Sequence, residues 1–152
     1  MGPVGSAESE NDQEGNKRLV LEFLDHQYAF RMDEAFALVA EDATWWMPGT
    51  LAFSGTYTKA EIRAVFDTVP NRFVGVPDME IQTVTAEDDR VAVEVEGRGT
   101  AVTGFEYHNT YHMLFRVRGG LIVSCRNHQD INHIREMMEA ELDADRVIAP
   151  GE

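Results

Sequence analysis

Basic side chains are scarce in this chain: 13 Lys and Arg stand against 27 Asp and Glu, a formal charge of −14 over 152 residues. That sign repels phosphate backbones and anionic headgroups, so nucleic acid and membrane surfaces are not expected as partners. Cysteine is nearly absent, and the single Cys125 cannot form an internal disulfide. No apolar run approaches the roughly 20 residues that span a bilayer. Residues 1–16 lack the apolar stretch of a secretory signal, and a cytoplasmic, reducing setting is the expectation. There is no phosphate-binding glycine loop, no Gly-x-Ser-x-Gly elbow, no nucleotide fingerprint and no repeat, so no cofactor is expected. His108 and His112 would sit about 13 Å apart on a strand, too far to share a metal ion.

What is present is enough apolar surface for one core, with 43% hydrophobic and 9% aromatic residues in a chain of single-domain size. Residues 1–16 carry acids, no Lys or Arg and few apolar anchors, and read as a mobile N-terminal tail. The domain is expected over 17–142, with 143–152 a flexible C-terminal tail. Val20, Phe23, Leu24 and Tyr28 recur at helical spacing. Asp33 reads as the N-cap of a second helix carrying Phe36, Leu38 and Val39. Ala43 to Met47 is β-rich and stopped by Pro48-Gly49. Thr58 and Glu61 form a capping-box pattern ahead of a third helix with Ile62, Val65 and Phe66. Strands follow at roughly 79–86, 89–102, 105–118 and 121–130, then a last helix from Ile131. Helices first and adjacent strands after make an α+β layout.

The last two strands carry the chemistry. Gly119-Gly120 fits a two-residue hairpin loop, which demands φ > 0. Pairing Arg118 with Leu121 sets Met113 opposite Arg126, Tyr111 opposite His128 and Asn109 opposite Asp130, and opposed residues share a face. The odd row from Phe105 to Phe115 is apolar and aromatic, so that face points inward and carries Arg126, His128 and Asp130 with it. A three-residue loop would shift the register by one and bury Leu121, Val123 and Cys125 instead. On the first register Asp130 and His128 can exchange protons near neutral pH, while Tyr111 and Asn109 hydrogen-bond a substrate oxygen. The plainer reading makes Asp130 the cap of the helix at Ile131. Trp46, Met113, Phe115, Arg126 and Tyr28 are the candidate pocket residues. Adjacent Trp45 and Trp46 must face opposite ways on a strand.

Ala37-Leu-Val-Ala-Glu-Asp-Ala-Thr44, Trp46-Met-Pro-Gly49, Ser54-Gly-Thr-Tyr57, Asn109-Thr-Tyr111 and Asn127-His-Gln-Asp130 together resemble the SnoaL-like, ketosteroid-isomerase-related branch of the superfamily that includes nuclear transport factor 2. The resemblance spans about Lys17 to Met138. It implies a cone-shaped α+β barrel, a curved antiparallel sheet with about three N-terminal helices on its concave face, and a homodimer paired through the outer face. In the family a Glu-His-Trp-Asp-like motif often ends the closing strand, and its aspartate faces the cavity as the acid or base of polyketide cyclases. The resemblance therefore favours the register that points Asp130 inward. The ketosteroid isomerases' first-helix tyrosine falls on Phe23 and their general-base aspartate on Met47, so steroid enolisation by that machinery is not expected. Arg98-Gly99-Thr100 likewise lacks an acid of the epoxide-hydrolase type. The implied activity is cofactor-independent acid/base chemistry on a hydrophobic oxygenated molecule such as a polyketide, terpenoid or aromatic. Non-catalytic ligand binding or protein interaction on the same fold is the alternative.

Overall fold

The computed structural model describes residues 4–148. Helix α1 (Val4–Tyr28) buries Val20, Phe23 and Leu24 completely. It starts well before Lys17, in the segment expected as a tail, because Ala, Glu and Gln there are good helix formers that can extend an anchored helix. Residues 1–3 and 149–152 of the two expected tails lie outside the described residues. After α1 the chain reverses through Phe30 at φ 62°.

Helix α2 (Met32–Phe36) has five residues, and its N-cap position is Arg31, which makes no side-chain cap bond, not Asp33. Asp33 instead pairs with Arg63 across to the third helix, at 2.6 Å. Leu38 and Val39 leave the helix: β1 (Val39–Met47) begins there, with Ile122 N–H donating to Leu38 C=O. The first strand is thus longer than its β-rich stretch suggests. Strand β2 (Gly55–Thr58) hands over to α3 (Lys59–Asp67) through the expected capping box, in which Thr58 Oγ1 accepts from Glu61 N–H and Glu61 Oε1 from Thr58 N–H. A 3-10 turn at Val69–Asn71 follows. The remaining strands are β3 (Asp78–Glu87), β4 (Arg90–Thr100), β5 (Glu106–Arg118) and β6 (Leu121–Gln129), and α4 (Ile131–Ile148) closes the described chain.

The six strands lie in the order β2-β1-β6-β5-β4-β3, a curved, unclosed sheet. All neighbours are antiparallel except β1 and β6, which run parallel. Trp45 is 1% exposed, and its ring meets those of Phe23, Phe66 and Phe115 at 5.5, 5.9 and 5.8 Å. These tilted and edge-on contacts join α1, α3, β1 and β5 in one core. No helix among the described residues is long and apolar enough to cross a membrane.

The β5–β6 hairpin corrects the expected register. The Gly119-Gly120 loop is as expected, with φ of 58° and 75° and Arg118 paired with Leu121. Beyond Val117–Ile122 the next pair is Arg116–Ser124, so Val123 is an extra residue on β6, a β-bulge. Parity then inverts: Phe115 faces Cys125, Met113 faces Asn127 and Tyr111 faces Gln129. The bulge lets Ile122 and Cys125, three residues apart, both enter the core. It also spares the Arg126 guanidinium from burial, which would be costly without a partner.

Candidate functional site

Between the concave sheet face and the helices lies a cavity of about 440 Å³, in the size range of small-molecule sites. Met47, Phe66, Phe73, Met79, Met113 and Met137 give it a largely apolar lining. Unbranched thioethers adapt to irregular shapes. The polar wall belongs to β5 and β6 and is shaped by two glycines of β4. Gly97 pairs with Asn109 and Gly99 with Tyr107. A Cβ at Gly97 would lie 2.8 Å from Met79 Sδ and 3.2 Å from the Tyr111 ring, and one at Gly99 3.1 Å from the Phe73 ring. The missing side chains let those rings lie against the strand.

Asn109 is 2% exposed and works as a clamp. Its Oδ1 accepts from Asp130 N–H at 3.1 Å and Thr110 N–H at 2.9 Å; its Nδ2 donates to Asp130 C=O at 3.2 Å and to Tyr107 Oη at 3.1 Å. One amide thereby fixes both the β6–α4 junction and the Tyr107 hydroxyl. The Tyr107 and Tyr111 hydroxyls hydrogen-bond each other. That bond takes one of their two protons, so the other can be donated to a third oxygen. Burial pushes the phenols of Tyr28, Tyr107 and Tyr111 above their ordinary range, Tyr28 and Tyr111 the furthest. They are protonated at neutral pH and serve as donors, not bases.

Asn127 and Gln129 face the same space from β6. Asn127 is 6% exposed, and its Oδ1 has no hydrogen-bond partner among the described residues. Gln129 Nε2 reaches the Met47 sulfur at 3.5 Å, a weak acceptor. Arg72 also lines the cavity and pairs with Glu141 at 3.5 Å. Among the described residues, no carboxylate or imidazole belongs to the lining.

The expected site residues therefore divide. Tyr111, Met113 and Tyr28 line the cavity, and Asn109 stands behind Tyr107 as its support. Phe115 is fully buried in the aromatic core instead of lining the cavity. Asp130, His128, Arg126 and Trp46 are not in it: beyond the Val123 bulge the even residues Arg126, His128 and Asp130 turn outward, and Trp46, paired with Arg126 from β1, lies on that same outer face. Asp130 is exposed, and its Oδ1 accepts from Asn132 N–H at 3.1 Å and His133 N–H at 3.2 Å, the N-cap of α4. On the outer sheet face Trp46 carries the Arg126 guanidinium at 3.9 Å and the His128 ring at 5.1 Å. The residues missed are Tyr107, Asn127 and Gln129. Two glycines inside β4 were the available signal, since glycine in a strand marks close approach of another group.

The SnoaL-like domain family matches residues 20–125 of the chain, and no curated protein matches its sequence. Among solved structures, PrhC from Penicillium brasilianum NBRC 6234 superposes with a TM-score of 0.77 at 15% identity, covering 89% of this chain and 92% of that one. A Bacillus subtilis protein provisionally assigned as an isomerase gives 0.73 at 21%, over 85% and 96%. An NTF2-like protein from Burkholderia xenovorans LB400 gives 0.67 at 19%, over 82% and 96%. At these identities the likeness is one of fold. With the family match running from Val20 on α1 to Cys125 on β6, the chain belongs to the SnoaL-like domain family.

Proposed function

We propose that the protein is a small-molecule isomerase or cyclase acting on a hydrophobic, carbonyl-bearing molecule held in the concave cavity. The observation that carries this reading is the Tyr107–Tyr111 pair, which lines an apolar cavity with one phenolic proton left to donate. Donation to a carbonyl oxygen draws charge toward it and stabilises the oxyanion that develops when a nucleophilic group of the same substrate attacks the carbonyl, the new bond replacing the C=O π bond. A single such donor in a site shielded from water is worth about 10² to 10³ in rate. The apolar walls hold a flexible substrate in one reactive shape, which lowers the entropic part of the barrier. Since no carboxylate or imidazole among the described residues lines the cavity, the phenols replace Asp130 and His128 as the acid side of the chemistry. The same absence favours a second reading, a non-catalytic carrier of the same ligand class.

A solvatochromic aromatic ketone, 6-propionyl-2-dimethylaminonaphthalene, tests the reading, because its emission moves blue in apolar surroundings and red when its carbonyl accepts a hydrogen bond. Wild-type protein should bind it with blue-shifted emission. Tyr111→Phe and Tyr107→Phe should shift the emission further blue and weaken binding. Absence of binding, or identical spectra in all three proteins, would sink the assignment. The same proposal pairs two copies through the outer sheet face around Trp46 and Arg126; sedimentation should then give a mass near twice 17.1 kDa.

A further inference from the structure

We infer that Asn127, with Gln129 beside it, is a second polar station in the cavity that binds a hydroxyl of the substrate, so that the substrate class is a hydroxylated apolar ketone. This deepens the reading above and rests on it. Asn127 is 6% exposed, lines the cavity, and has an Oδ1 without a hydrogen-bond partner among the described residues. A buried polar atom is normally paired, and leaving it unpaired is unfavourable. Its cross-strand partner cannot supply the donor: Met113 lies directly opposite on β5, and a thioether has no hydrogen to give. An apolar residue would fill this place in the fold without that penalty, so the amide calls for a ligand group. Either orientation of the amide leaves a polar atom toward the cavity, and a hydroxyl satisfies both because it donates and accepts. An ether cannot donate, and a carbonyl accepts only.

The register fixes where that hydroxyl lies relative to the carbonyl. Tyr111 is directly opposite Gln129, which places Asn127 on its diagonal, about 7–8 Å away between strands. A ligand whose carbonyl meets the tyrosine pair can then reach Asn127 with a hydroxyl at the far end of the same ring. Gln129, bonded only to the Met47 sulfur at 3.5 Å, lies between the two stations and can serve either oxygen.

The experiment is calorimetric titration of 1-tetralone, 6-hydroxy-1-tetralone and 6-methoxy-1-tetralone into wild-type protein and Asn127→Leu. Wild type should prefer the hydroxy ketone over both others by about three- to tenfold. Asn127→Leu should lose that preference, and its melting temperature should stay level or rise. Equal affinity of the three ketones for wild type overturns the hydroxyl station and leaves the ketone site standing. A preference that persists in Asn127→Leu overturns it too. Failure of all three to bind wild type overturns the ketone site and this station with it. The wild-type series alone decides the matter if the variant does not fold.

Discussion

Replacing Asp130 by alanine should cost stability and nothing else. Its Oδ1 accepts from Asn132 N–H and His133 N–H at 3.1 and 3.2 Å, and losing such a cap costs about 1 kcal/mol. For a chain of this size that lowers the melting temperature by about 2–4 °C. The start of α4 should stay in place, because Asn109 holds the backbone N–H and C=O of Asp130 independently of its carboxylate. Met137 and Met138 of α4 would then keep their places in the cavity, and affinity for the solvatochromic ketone should not change. Asn109→Ala is the contrasting case. It strips partners from two partly buried amide groups, Asp130 N–H and Thr110 N–H, and releases the Tyr107 hydroxyl. The cost should be about 2–4 kcal/mol, with ketone affinity falling as the tyrosine pair loses its support. Differential scanning calorimetry and ketone titration on the two variants read both effects. An Asp130→Ala protein that melts like wild type but no longer binds, or that loses more stability than Asn109→Ala, would refute this division between cap and clamp.

Gly97→Val should distort the polar wall, since even its Cβ would stand 2.8 Å from Met79 Sδ and 3.2 Å from the Tyr111 ring; overpacking of this kind costs about 1–3 kcal/mol, and thermal melts with ketone titration check it. Trp46→Phe should leave ketone affinity unaltered, because Trp46 stacks with Arg126 on the outer face; weaker binding would contradict that placement. Burial keeps Tyr28, Tyr107 and Tyr111 protonated when the unfolded chain has begun to release its phenolic protons, near pH 10. Stability is therefore full below about pH 10 and falls as pH rises above it, by up to about 1.4 kcal/mol per pH unit for each phenol. Alkaline denaturation followed with phenolate absorbance measures this, and full phenol ionisation in folded protein at the ordinary pH would contradict it.

The fold was legible where one local signal ruled. The capping box at Thr58 and Glu61, the Gly119-Gly120 turn and the long alternating strands all stand where the sequence puts them. It was less legible where tertiary contact overrides local pattern. Leu38 and Val39 fit a helical face, yet pairing with β6 draws them into β1. The parallel β1–β6 pair joins segments with about half of the chain between them, and no local pattern announces such a contact. Helix α1 extends beyond its apolar spacing because its first turns need only propensity and an anchored continuation. The site was half legible for a similar reason. Tyr111 and Met113 belong to an unbroken strand whose alternation holds throughout, so their inward face was readable.

The residues of β6 were not readable because a single bulge changes the meaning of every residue beyond it. Ile122 faces inward on the register set by the turn, and Cys125 faces inward on the register shifted by one; each reading accounts for half the strand. An inserted residue at Val123 satisfies both, since two residues then oppose one and the alternation restarts in opposite phase. Energy decides in favour of insertion: an unbroken alternation would bury Arg126 among Met113 and its neighbours, a charge without a partner, or else push Ile122 into water. The chemical consequence is larger than the structural one. With the bulge, the cavity takes two amides and leaves the aspartate and imidazole outside, so the polar groups that β5 and β6 give it are neutral donors and acceptors. A cavity of that kind recognises and polarises oxygen, whereas the unbulged strand would have built a proton-exchanging pair from the same residues.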